Sequence, residues 1–403
     1  MILRSVAAAL VVSAAARADR GTDTPPPSAP VAASERIARQ GDDSARLPEL
    51  ELALPADLEE PRTRAIRSGL NWLAQRQDPR DGSVRVDDAD DGQRAPVAVT
   101  ALAALAWMSA GSTPSRGPHQ DELERAVEYL LGCTRGRADE HPGYITGSGD
   151  RISRTHGHGL ATLALAEAYT VSPASPLGKR IGAALEAAVR RIEVSQGAEG
   201  GWYYEPVRTL EHEGSVTVAL LQGLRAAQDA GIQVDSEVVR EAVDYVRRLQ
   251  VLDSKSAGQG RLGGFRYGLN DPRESLELTA AALTTLQAAG VYRGREVESG
   301  YDYVWRKLAL RDDDPTARSG FPYYERFYLS QALWQHPDRK LYPRWAAPIA
   351  RELVAAQKPT GAWEDVRHAD GMRIVSRYGA AYATACNVLF LALPDGFLPI
   401  FQR

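Results

Sequence analysis

Two kinds of apolar pattern alternate along the chain from Arg62 onward. One is amphipathic: Val239, Ala242, Val243, Val246 and Leu249 fall on one helical face, with Arg240, Glu241, Asp244 and Arg247 opposite. The other is apolar nearly all round, over Val97–Met108, Gly159–Tyr169, Val216–Ala227, Leu276–Ala289 and Tyr378–Leu393. A helix without a polar face has to be covered on every side. Two concentric rings satisfy both patterns, with the amphipathic helices outside. The expected fold is therefore all-α: six helix hairpins, an inner ring of six parallel helices and an outer ring of six.

A recurring phrase marks each passage from outer to inner helix. It reads Gln77 then Gly82-Ser83-Val84, Gln196 then Gly200-Gly201-Trp202, Gln250 then Gly263-Gly264-Phe265, and Gln357 then Gly361-Ala362-Trp363. Two units keep a Gly-aromatic pair (Gly143-Tyr144 and Gly320-Phe321) but carry Thr134 and Leu308 in place of Gln. The markers at 77, 134, 196, 250, 308 and 357 recur at a spacing that fits one outer helix, a loop and one inner helix. Physically, the Gln amide is expected to bond to a neighbouring helix, while the aromatic packs beneath the Gly turn and ties adjacent hairpins together. Six such units close a ring and need no capping repeats.

The phrases Gln196 to Trp202 and Gln357 to Trp363 resemble the QW motif of squalene-hopene cyclases and other terpenoid cyclases. The same hairpins build the barrel of protein prenyltransferase β subunits. Within that superfamily the chain is most similar to exported bacterial proteins with prenyltransferase/squalene-oxidase repeats, through His158-Gly159-Leu160 and Leu398-Pro399-Ile400. The resemblance covers residues 62–403 and implies an α/α toroid (α6/α6 barrel).

The start of the chain changes the picture of where this ring works. Met1–Arg4 carries one positive charge, Ser5–Ala16 is a small apolar run, and Ala16-Arg17-Ala18 fits a cleavage site, so residues 1–18 read as a signal peptide. Residues 19–60, with Pro25-Pro26-Pro27, read as a disordered Pro/Ala-rich leader, and 61–403 as one toroid domain. The expected location is periplasmic or extracellular. A net charge of -4 lacks the basic footprint of a nucleic-acid binder, and no apolar run is long enough to span a membrane. Cys133 and Cys386, in separate repeats, read as buried thiols and cannot support a cysteine-based zinc framework.

Parallel inner helices bring six N-termini to one mouth, whose unpaired N–H groups favour acidic or oxygen-rich ligands. Side chains expected there are Asp91, Arg94, Arg154, His156, His158, Glu211, Glu213, Glu274, Tyr323, Tyr324, Arg326 and Arg377. His156 and His158 are candidates for proton transfer or anion binding, with loop-carbonyl bonding as the structural reading. Glu213 and Glu274 read as helix-start residues. Tyr323, Tyr324 and Tyr328 open the fifth inner helix beside Phe327 and, with Tyr382, either line a cavity or fill the core.

Three enzyme classes come into question for such a ring. Asp88-Ala89-Asp90-Asp91 matches the acid string of class II terpene cyclases, but Gly92 to Pro96 separate it from the inner helix and it sits in an acidic loop, so it reads as chance. The cysteine contexts of a zinc-dependent prenyltransferase are missing. A polysaccharide lyase or hydrolase using His158 and Tyr324, with Arg154 or Arg326 neutralising a uronate, rests on fold analogy. The expected function is binding of an extended apolar, glycan or peptide ligand in the cavity or at its rim, without cofactor or metal; the alternative is an exported enzyme, polysaccharide lyase- or hydrolase-like or a divergent terpene cyclase, working at the mouth.

Overall fold

Alanine-rich helices pack in an inner ring with charged helices outside them, as the pattern predicts. The computed structural model describes residues 53–253, 259–311, 319–369, 372–375 and 377–399. Among the described residues there are twelve α-helices. The outer ones are α1 (Glu59–Arg76), α3 (Gln120–Gly132), α5 (Pro176–Ser195), α7 (Ser236–Arg248), α9 (Arg295–Leu310) and α11 (Leu341–Ala356). The inner ones are α2 (Pro96–Ser109), α4 (Arg154–Thr170), α6 (Gly214–Asp229), α8 (Leu276–Ala288), α10 (Pro322–Trp334) and α12 (Ala380–Ala392).

Contacts run from α2 to α4, α6, α8, α10 and α12 in turn, and α12 packs back on α2. The outer ring closes in the same way, α11 against α1. This is an α/α toroid. In α2 every residue from Val97 to Ser109 is buried, whereas in α7 only Ala242, Val243, Tyr245 and Val246 are, and Arg240, Asp244 and Arg247 pair with acids or one another in solvent.

The junction phrase works as a clamp. Gln77 donates to the Gly82 carbonyl and to the Glu122 carbonyl of α3. Gln196 does the same for Gly200 and Val238, Gln250 for Gly263 and Glu296, and Gln357 for Gly361 and Ala65. Each amide thus satisfies its own turn and a carbonyl of the next outer helix, and the last unit clamps onto the first. Gly82, Gly143, Gly200, Gly263 and Gly361 all have φ between 81° and 95°. A Cβ at any of them would strike a backbone carbonyl of the next outer helix: Arg125, Ala187, Glu241, Ser299 and Ser68 respectively. Only glycine fits on both counts.

Below the glycine, the Trp202 and Trp363 indoles are buried and donate to the Ile192 and Leu353 carbonyls. The backbone N–H of the residue two beyond the glycine donates to a threonine of the following inner helix: Val84 to Thr100, Trp202 to Thr217, Phe265 to Thr279 and Trp363 to Thr384. In the second unit Ile145, rather than the expected Tyr144, takes the tryptophan's place, and its N–H goes to His158 Nδ1 at 3.1 Å.

The structure departs from the sequence reading in several places. Residues 56–60, assigned to the leader, belong to the helical body: Ala56–Leu58 form a 3-10 turn, Leu58 is buried and α1 starts at Glu59. Inner helix α4 begins at Arg154, not Gly159, because Ser153 starts it in a left-handed conformation (φ 56°). The chain is not purely helical. Two antiparallel hairpins, β1 (Phe265–Gly268) with β2 (Asp271–Ser275) and β3 (Val366–Ala369) with β4 (Met372–Val375), lead into α8 and α12. Phe321 does not pack beneath a turn; it is half exposed at the start of α10. Cys133 caps α3, Cys386 is buried in α12, and both are free. Residues 1–18, where a signal peptide is expected, residues 19–52 and Ile400 lie outside the described residues.

Candidate functional site

Inside the inner ring, the N-terminal halves of the helices line a partly open chamber of about 130 Å³. Its lining follows helical stripes: Ala95, Ala98, Val99 and Leu102 from the start of α2, Ser153, His156 and Leu160 from α4, and Ala219 from α6. Facing them are Phe321, Tyr324, Phe327 and Tyr328 from α10, and Tyr378, Tyr382 and Cys386 from α12. One wall is thus small and aliphatic and the other aromatic, with Gln93 at the edge. No carboxylate, guanidinium or ammonium is among the lining side chains.

The aromatic wall is held by ring-to-ring packing. Tyr324 and Tyr328 have centroids 4.6 Å apart, Phe327 and Tyr328 5.0 Å, Tyr378 and Tyr382 5.3 Å, and Tyr323 and Tyr382 5.5 Å. Such offset and edge-on pairs fix the rings relative to one another. Burial pushes the phenols of Tyr324 and Tyr382 well above the ordinary tyrosine range, and the Cys386 thiol up to about 12. They stay neutral at any ordinary pH.

On the other wall His156 is the one titratable group. Its Nε2 lies 2.8 Å from Ser215 Oγ, and that hydroxyl donates to Glu213 Oε2 at 2.6 Å. Glu213 is fully buried and caps α6 through the N–H groups of Ser215 and Val216. Burial raises the Glu213 carboxyl while those three donors hold it down. Because Ser215 gives its proton to Glu213, it receives one from His156 Nε2, which leaves Nδ1 as an acceptor. Burial alone lowers His156 to about 4.

Four of the residues expected from sequence meet here: His156, Tyr324, Tyr328 and Tyr382. Four do not line the chamber. His158 faces outward into the junction layer, where it replaces the threonine of other repeats; burial, then the Arg191 charge, lowers it to about 3. Arg154 is exposed and bonds to the Asp150 carbonyl. Tyr323 donates to the Glu364 carbonyl and accepts from the Val366 N–H. Arg326 binds Asn387 Oδ1 and lies over the Tyr323 ring. The lyase arrangement built on His158 with Arg154 or Arg326 is therefore not assembled.

The first residue of the acidic string and the aspartate before it are structural too. Asp88 Oδ2 accepts from the Ala380 N–H at the start of α12, and Asp87 pairs with Arg76. Ser215, Ser153, Gln93 and Tyr378 escaped the sequence reading. The stripe spacing Tyr378, Tyr382, Cys386 carried a signal for the last of these.

No family model and no curated protein sequence matches the chain. Its fold is similar to that of cellobiose 2-epimerase from Spirochaeta thermophila (15% identity, 84% of this chain and 98% of that one, TM-score 0.57). It is similar to a D-mannose isomerase (11%, 85% and 99%, TM-score 0.59) and to a type II terpene cyclase from Scytonema solved with geranylgeranyl dihydroxybenzoate (17%, 86% and 100%, TM-score 0.52). The protein is an α/α-toroid protein. At these identities the likeness is one of fold, shared by sugar-converting and terpene-cyclising enzymes alike.

Proposed function

We propose that this protein binds one small, uncharged ring compound in its central chamber and does not convert it. The carrying observation is the lining, which holds no carboxylate, guanidinium or ammonium and whose two facing polar side chains, His156 and Tyr324, are pushed by burial below and above their ordinary values respectively. Efficient proton transfer near neutrality needs groups poised near 7, and these have been moved the opposite way. A volume of about 130 Å³ is below the roughly 300–1,000 Å³ of drug-sized sites, so the occupant is smaller than the extended ligand the sequence first indicated. In the acidic string Asp88 caps α12, while Asp90 and Asp91 are exposed to solvent and away from the chamber lining. Export by residues 1–18 belongs to the same proposal, since a solute receptor outside the cytosol needs no cofactor supply.

Calorimetric titration with neutral ring compounds tests this, using a chamber-filling Ala98→Leu variant as control. Binding to the wild type that disappears in the variant is expected; equal binding by both ends the proposal. A second reading, a sugar-converting enzyme, is favoured by the tyrosine wall facing the His156 network. Proton NMR of aldoses and ketoses incubated with the protein decides it, because new anomeric signals replace the binding reading.

A further inference from the structure

Among the described residues, Gln93 Oε1 at the chamber's edge and two polar atoms on facing helices of its wall have no hydrogen-bond partner of good geometry. The two in the wall are His156 Nδ1 on α4 and the Tyr324 hydroxyl on α10, the latter beside Tyr328. Both side chains line the chamber, and α4 and α10 stand opposite each other in the ring of six. Folded interiors keep few such atoms, and those they keep call for an explanation. The two are complementary in kind. The chain of bonds from Glu213 through Ser215 fixes the His156 tautomer, so that Nδ1 only accepts. Tyr324, kept neutral by burial, has a proton to donate.

We propose that the chamber selects a neutral ring bearing a hydroxyl at one end, which donates to His156 Nδ1, and an oxygen acceptor across the ring, which receives the Tyr324 O–H. This rests on the binding reading above and names the ligand class for it. Glu213 and Ser215 are positioning residues: they touch no ligand but hold the imidazole in the accepting form. Ser153, the one non-glycine residue with positive φ among those described, stands at the start of the same helix turn and also lines the chamber. Strained backbone of this kind concentrates at ligand sites. The aromatic and aliphatic walls sandwich the ring, and its two oxygens span the gap from α4 to α10.

Four probes of one shape separate the terms: 4-methoxyphenol, 1,4-dimethoxybenzene, hydroquinone and p-xylene, titrated by ligand-observed NMR. One hydrogen bond to a fixed acceptor gives roughly a tenfold preference for 4-methoxyphenol over 1,4-dimethoxybenzene. His156→Phe and Ser215→Ala should each collapse that ratio towards one, and Ser215→Thr, which keeps the hydroxyl, should restore it. Tyr324→Phe should weaken both ethers alike and leave the ratio standing. Melting curves confirm that the variants fold. A ratio near one in the wild type, or one untouched by Ser215→Ala, overturns the donor-acceptor assignment while the binding reading survives. Tight p-xylene binding with no preference for the oxygenated probes has the same meaning. If none of the four binds, both proposals fall.

Discussion

His156 and His158 sit two residues apart in the first turns of one helix, yet they belong to different regions with opposite rules. His158 lies in the junction layer, where its Nδ1 accepts the bond that a threonine accepts in four other units. His156 lies in the chamber wall, where rings pack on rings and polar atoms are left unpaired. At 3.6 residues per turn, two positions differ by about 200° around the axis, so neighbouring histidines necessarily face opposite ways. The junction layer is built for stability and the chamber is not. Substitutions in the two regions should therefore respond in different currencies, melting in one and binding in the other.

The largest effects should come from the junction. Trp202→Ala and Trp363→Ala each remove a buried indole and its bond to the outer helix, and should cost about 3–5 kcal/mol in urea unfolding. Retention of full stability would show that the rings are not tied together there. Next, Gln196→Ala leaves two carbonyls without their shared donor and should cost about 1–3 kcal/mol. A loss no greater than that of an exposed Gln→Ala change would break the clamp argument.

Acid sharpens the contrast between the histidines. Both have folded-state values below the ordinary 6.5, so the unfolded chain binds protons first. Their contribution is full above about pH 6.5 and declines as the pH falls toward about 4 for His156 and about 3 for His158. His158→Thr installs the residue used by four other repeats and should flatten the fall in melting temperature over that window while preserving stability at pH 7. An unchanged slope refutes it. The smallest effect belongs to the chamber: Tyr324→Phe deletes an unpaired hydroxyl and should change stability by less than about 1 kcal/mol while altering ligand affinity. A large loss on melting would move Tyr324 into the structural class.

The ring was legible in the sequence because it rests on periodicity, and periodicity survives at the level of single residues. The Gln-Gly-aromatic phrase located five of the glycines whose positive φ the turns demand. The two β-hairpins were hidden because four- and five-residue strands in loops rich in glycine and charge carry no alternation to detect. The error over His158 was avoidable. Aligned by helix start, it falls on the repeat threonine, and its spacing from His156 already forbade a shared face. Ser215 could not be foreseen from pattern, since its role depends on a bond to a residue 59 positions away. The acidic loop reads from sequence as a chance match to a catalytic string, and only geometry shows Asp88 serving α12.

Closure of the ring has a consequence for how the molecule is made. Arg62 reaches the Leu391 carbonyl and Asp395, and Gln357 holds Ala65, so the two ends of the domain lie side by side in space. Joining them by a short linker and opening the chain at another surface loop should yield a rearranged order of repeats with the same circle. In the natural order, the bonds that complete the circle wait for the final repeat to leave the ribosome. Until then α1 and α2 present uncovered apolar flanks, which makes the last hairpin the latch on assembly.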